Sequence, residues 1–147
     1  MAIVLFDHSW IIARLKDQVT SLKLVGGAAD FDAAAESLKQ KPAAFVLPNS
    51  ERANQSTTGT MAVSQENTVR FAVVLAVQNL RDARGENAQA DLLSLRTDIM
   101  SALLGWEPDE DADFKPIEFS GGRLLQLADR VLWWQDEFVT AHLLRSV

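Results

Sequence analysis

Five carboxylates crowd into residues 107–113: Glu107, Asp109, Glu110, Asp111 and Asp113, with no base among them. Such a cluster invites a calcium reading. A helix–loop–helix calcium loop counted from Asp109 needs glycine at its sixth position and a bidentate carboxylate at its twelfth. Phe114 and Ser120 stand there instead. The cluster reads better as a solvated acidic loop, or as a contact for a basic or polar partner surface, and these five acids are the candidate partner-binding residues. His8 and His142 are the only histidines and lie near opposite ends of the chain, so a catalytic pair would need the fold to join them. The nucleophile signature G-x-S-x-G is absent. Gly26-Gly27 and Gly121-Gly122 match neither GxGxxG nor GxxxxGK[ST] and read as turns. Trp106, Trp133 and Trp134 could stack on a base or a sugar, but no basic residues are interleaved with them, so packing in a core or between subunits is the better reading. No carboxylate sits in an apolar context of the kind that raises a pKa for acid–base work. These residues call for no enzyme activity, no cofactor and no metal.

Composition narrows the class further. At 147 residues, with 48% hydrophobic and 23% charged residues, the chain is long enough to bury a core of its own as one domain. It has no cysteine, so neither disulfides nor a thiolate site are possible. Fourteen basic and 20 acidic residues give a net charge of −6, which argues against recognition of nucleic acid, where a basic stripe is the rule. The start MAIVLFDH lacks the basic region of a secretory signal. The longest apolar run, Phe71 to Val77, is far below the ~18–20 residues that span a bilayer, so no membrane partner is expected.

The elements that must position these residues follow from periodicity. Ile11, Ile12, Leu15, Val19 and Leu22 recur at helical spacing, predicting a helix over about 10–22 with Ser9 as its cap. Leu24 to Gly27 reads as a short strand or a turn. Asp30 suits the cap of an Ala-rich helix from Phe31 to about Lys39, ended before Pro42. Ala43 to Leu47 is a short apolar strand closed by Pro48. Residues 49–67 are polar and long for a loop; they suit either a mobile loop or an extended hairpin arm that orders on a partner. Thr68 to Gln78 is the strongest strand: Phe71, Val73, Leu75 and Val77 line one face, and the small apolar Ala72, Val74 and Ala76 line the other, as in a sheet covered on both sides. Arg81 to Gly85 is a charged turn. Ala88, Leu92, Leu95, Ile99 and Leu103 form the stripe of a helix over about 86–104, with Gly105 as its stop.

The closing stretch, Phe119 to Arg145, reads as strands around reversals. Pro116 to Phe119 is a strand, Gly121-Gly122 a turn, Arg123 to Leu127 extended, Ala128-Asp129-Arg130 a second turn, and Val131 to Leu143 the returning strand. Side chains alternate along a strand, so Leu132, Trp134 and Phe138 share one face while Val131 and Trp133 share the other. One indole can pack on the helix layer near Leu92, Leu95 and Ile99. The other needs a second layer or a neighbouring subunit, which makes Val131, Leu132, Trp133 and Trp134 the candidate subunit interface. The whole is an α+β single domain, an antiparallel sheet flanked by helices.

Taken in order, the helix IIARLK, the strand PAAFVLP, the polar loop ending QEN, the strand RFAVVLAVQN, the helix end ALLGWEP and the close FSGGRLL…VLWWQDEF resemble the phage tail terminator-like proteins of Mu-like phages and prophages. The resemblance spans nearly the whole chain and rests on overall pattern, with Pro42 to Pro48, Leu103 to Pro108 and Gly121 to Phe138 the most telling. It implies an antiparallel sheet flanked by helices and a homo-oligomeric ring, commonly of six subunits. Such a ring sits on the last layer of the tail tube, halts polymerisation and helps head–tail joining. The implied partners are the tail tube protein and the head–tail connector, and the implied location is the virion tail, after assembly in the host cytoplasm. It implies no enzyme activity and no cofactor. The alternatives are another head–tail connector or baseplate component, or a small metal-dependent hydrolase using the acidic loop.

Overall fold

In the computed structural model, which describes residues 3–36, 38, 40–78, 86–109, 113–128 and 130–146, one sheet of five strands carries helices on both faces. The elements are α1 (His8–Gln18), β1 (Leu24–Gly26), α2 (Ala28–Glu36), β2 (Ala43–Ala53), β3 (Ser64–Gln78), α3 (Glu86–Leu103), β4 (Glu118–Ala128) and β5 (Val131–Arg145). Strand order is β1-β2-β3-β5-β4. The sheet is antiparallel throughout except at one edge, where β1 runs parallel to β2. The expected all-antiparallel sheet is therefore mixed: the chain passes from β1 to β2 through a crossover helix, α2, and such a connection returns a strand in the same direction.

The two faces of β3 explain the layering. Phe71, Val73, Leu75 and Val77 pack with Ile11 and Leu15 of α1 and Leu92, Leu95, Ile99 and Leu103 of α3. Val74 and Ala76 join Phe45 and Ala34 in a smaller cluster under α2. The α3 stripe read from the sequence is the one that is buried, apart from Ala88, whose side chain lies outside those described. Gly105 follows the helix with φ of 79°, the left-handed conformation that glycine adopts without strain. The charged turn at 81–85 lies outside the described residues.

Several boundaries differ from expectation, each for a local reason. Helix α1 begins two residues early because Asp7, not Ser9, is its cap: the Asp7 carboxylate accepts the Ser9 N–H at 2.9 Å. It stops at Gln18, while Val19 remains in the core beyond it. Helix α2 begins at Ala28, so Asp30 sits in its first turn and reaches back to accept the Gly27 N–H at 2.9 Å. That is the returning half of a capping box. Pro48 does not end β2. Strand β1 pairs only with Ala43, Ala44 and Phe45, so further along β2 is an edge strand, where a proline without an N–H is tolerated, and a register shift follows at once between Pro48 and Ser50. Residues 49–53 and 64–67 are thereby strand: the polar stretch is a hairpin arm, with Asn54 and Thr57 donating to Glu66 and Ser64 carbonyls beyond the strand ends.

Gly121-Gly122 is not a turn. Both residues lie inside β4, which runs unbroken from Glu118 to Ala128, with register shifts at Ser120 and Leu125. Ahead of it Ile117 exchanges hydrogen bonds with the 105–106 backbone rather than pairing in the sheet. Of the second expected turn, Asp129 lies outside the described residues, and Arg130 has φ of 64° just before Val131 re-enters opposite Ala128.

Candidate functional site

Strand β5 presents its two tryptophans to opposite layers. Trp133 lies on the α2 side, edge-on to Phe31 at 5.8 Å and stacked over Phe45 at 6.3 Å. Trp134 lies on the α1/α3 side. Its Nε1–H donates to Asp136 Oδ1 at 2.9 Å, and the Arg96 guanidinium of α3 sits 4.8 Å above its ring. Both rings are half-buried, while Val131 and Leu132 are buried, one in each cluster. The second layer that one indole needed is thus α2 of the same chain. What the four residues leave uncovered is a rim, and strand β4 continues it.

Asp136 holds that rim in place. Its carboxylate is wholly buried and takes a fork from Arg96, Nε to Oδ2 at 2.9 Å and a terminal nitrogen to Oδ1 at 2.9 Å. Charge-assisted, bidentate bonds of this kind satisfy a carboxylate out of reach of water. The network dictates its neighbour on β4: a Cβ on Gly122 would lie 2.6 Å from Asp136 Oδ1 and 3.1 Å from the Trp134 ring, so only glycine fits. The reading that no carboxylate sits in an apolar context fails here: Asp136 is buried on the inward face of β5 between Trp134 and Phe138, and alternation along the strand was the only signal for it.

Beyond Gly122 the sheet opens. Phe119, Leu124 and Leu127 of β4 pair with Phe138, Trp134 and Leu132, which places them on the α1/α3 face. Yet Phe119 is 40% exposed, and Leu124 and Leu127 are 53% exposed. From the helix layer the Arg96 guanidinium of α3 reaches over the Phe119 ring at 6.0 Å, but Leu124 and Leu127 further along β4 stay open. Leu125, at the register shift, is also exposed. A long apolar edge strand with free backbone groups is a surface prepared for pairing.

The acidic loop lies elsewhere. Lys115, just after it, bonds to Ala141 near the far end of β5, ten residues from Val131, a separation of roughly 34 Å along a strand. Glu107 and Asp113 are exposed, Asp109 is half-buried, and Glu110 and Asp111 lie outside the described residues. Phe114, at the position a calcium loop reserves for glycine, is a core residue packed between Phe6, Trp10 and His142. Among the described residues no group of three or more His, Asp or Glu side chains is placed to hold a metal.

The fold does bring the two histidines to one neighbourhood. Buried Asn67 donates its amide N–H groups to Glu51 Oε1 at 2.9 Å and to His142 Nε2 at 3.0 Å. An amide nitrogen only donates, so His142 accepts at Nε2 and is neutral in this arrangement. Burial pulls its pKa below the ordinary value, against the opposing charge of Glu51. His8 is lowered for the same reason, with Glu51 and Asp7 opposing. It stands edge-on to Phe6 at 4.9 Å and beside a cavity of about 140 Å³ lined by Pro48 to Glu51, Val69 and Arg70. The pair packs within a cluster of Phe6, Phe114 and Asn67.

The geometry thus defines a small α+β structural module whose distinctive surface is an open apolar strand beside a half-buried aromatic rim. In comparison with protein families the chain matches the phage tail terminator protein family over residues 1–146, and it belongs to that family. Its role is structural, as a component of the phage tail that meets other tail or head components. Comparison with curated proteins finds no match. None of the described helices is long and apolar enough to cross a membrane.

Proposed function

We propose that this protein caps the tail tube as a closed homo-oligomeric ring, of six subunits by family resemblance. The ring stops tube polymerisation and offers the surface through which the head–tail connector joins. The observation that carries this reading is the family match over residues 1–146. Subunits meet at the end of β5 that carries Val131, Leu132, Trp133 and Trp134, on the face where Trp134 and Leu132 stand in register with the exposed Leu124 and Leu127 of β4. Such an apolar patch, repeated on identical subunits through a heterologous contact, closes into a ring. The acidic loop from Glu107 to Asp113 faces a basic or polar surface of the tube, since clustered acids with no internal base favour opposite charge outside. The test is negative-stain imaging of the protein with and without its tail tube subunit. Tubes of limited length, capped at one end by a ring, are the expected result; unlimited tubes with no ring at their ends would refute the reading. Loop binding is read separately: exchanging the five acids for Asn or Gln should weaken tube binding and flatten its salt dependence.

A further inference from the structure

The exposed large apolar side chains fall into two runs. One is Phe119, Leu124, Leu125 and Leu127 on β4; the other is Ile3-Val4-Leu5, with Ile3 61% and Leu5 60% exposed. Among the described residues the remainder are Met61 and Val63 in the β2–β3 hairpin loop and the separate Leu93, Leu104 and Leu143. The open part of β2, at the other edge of the sheet, carries Pro48 and the polar residues Asn49 to Arg52, so it offers no apolar cover and lacks a donor. Residues 3–5 lie outside any helix or strand, and among the described residues no backbone hydrogen bond ties them to the rest of the chain. They are held only from behind. Phe6 stacks on Phe71 at 5.3 Å, and the row continues through Phe138 to Phe119 at the edge.

We infer that Ile3–Leu5 of one copy pairs as an added strand with β4 of the next copy, so that each subunit in the ring both offers an arm and receives one. The chemistry is strand addition: free N–H and C=O groups on both sides form the ladder, and alternating apolar side chains cover each other. Two features of β4 favour this occupant. Between its register shifts at Ser120 and Leu125 lies a regular stretch of four residues, Gly121 to Leu124, long enough to pair with Ile3–Leu5. Within it, Gly121 has no positive φ, and a Cβ there would meet nothing within 4 Å. Nothing in its own chain requires that glycine, and the absent side chain leaves open space on the edge strand where an added chain can lie.

The area sets the mode of assembly. Seven side chains of this size, four on β4 and three on the arm, hide roughly 400–800 Å² together. That is short of the roughly 1,200–2,000 Å² of a stable pair. A single arm therefore does not hold a dimer, but in a closed ring every subunit gains two such contacts, with the aromatic rim beside them. The inference rests on the ring reading above.

The chain has no cysteine, so introduced ones report cleanly. Ile3→Cys, Val4→Cys and Leu5→Cys are each combined with Leu124→Cys and with Leu127→Cys, and oxidised alone at high concentration and with tail tubes present. Expected is a covalent ladder of head-to-tail oligomers from at least one combination. A mixture of arm-only with edge-only chains should then stop at the heterodimer. Rings that form without any arm-to-edge bond would overturn the strand pairing and leave the ring standing. Dimers bonded arm to arm, or monomers bonded within one chain, would overturn it as well. If neither rings nor oligomers form with tubes present, the ring reading fails along with the pairing.

Discussion

Removing Arg96 from above the Trp134 ring tests whether the buried ion pair organises the rim. In Arg96→Met the aliphatic stem persists, so the helix face keeps its packing while Asp136 loses its fork. The carboxylate is fully buried and the guanidinium one-quarter exposed. Breaking a buried pair by deleting one partner costs ~3–5 kcal/mol, because a charge is left without compensation. The partial exposure of Arg96 and the remaining Trp134 N–H bond place this case near the lower end, at about 3 kcal/mol. With a urea m-value of about 2 kcal/mol/M, the unfolding midpoint should fall by roughly 1.5 M. Arg96→Met combined with Asp136→Leu should recover more than half of the loss, since an apolar pair of similar volume needs no neutralisation. Equilibrium urea unfolding, followed by tryptophan fluorescence, reads both. A single variant within about 1 kcal/mol of the parent, or a double variant no more stable than the single, would refute this account of the network.

The adjacent glycines should part company: Gly122→Ala drives a methyl into Asp136 and Trp134 and should cost ~1–3 kcal/mol in the same assay, whereas Gly121→Ala, with open space around it, should stay within about 0.5 kcal/mol. Because each indole has a layer of its own chain beneath it, Trp133→Ala and Trp134→Ala should each destabilise the isolated protein by about 3 kcal/mol, and a variant with unchanged thermal unfolding would show that its ring is not packed as described. Stability should also depend on acid. His8 and His142 are lowered by burial, so the unfolded chain binds their protons first; stability is complete above the unfolded value of about 6.5 and declines as pH falls through and below it. His142→Gln should flatten that decline in urea titrations between pH 7 and 5, and an unchanged slope would exclude His142 as its source.

Periodicity carried the fold a long way. The α3 stripe and the alternation in β3 and β5 were legible because each element buries a defined face, and burial is what periodicity records. The opposed placement of Trp133 and Trp134 followed from strand geometry alone. The errors fell where tertiary context overrides local chemistry. Pro48 and Gly121-Gly122 looked like breaks, yet both lie on edge strands, where a lost donor or a missing side chain is tolerated. The second layer for Trp133 came from an Ala-rich helix of nine residues, too weakly patterned to announce which face it covers. The open edge could not be read at all: Leu124 and Leu127 look like core residues until the sheet order puts β4 at the edge of the described strands and leaves both side chains exposed. For the acidic loop, composition alone supplied the reading, and its far placement from the rim became visible only through the pairing of Lys115 with Ala141.

Strand order also governs when the sheet becomes possible during synthesis. The last of the described strands, β5, is not an edge strand: it lies between β3 and β4 and pairs with β3 along all fifteen residues, from Ser64 opposite Arg145 to Gln78 opposite Val131. Closing that ladder joins residues 53 to 81 positions apart, the kind of non-local contact that slows folding. A nascent chain can form the β2–β3 hairpin early, but Phe71 and Leu75 have no second strand beside them until the chain has left the ribosome as far as Arg145. The edge strand β4, made earlier, waits on the same event because it pairs only with β5. The sheet and its open apolar edge therefore mature together, in a single late step, and a chain cut short before β5 has neither.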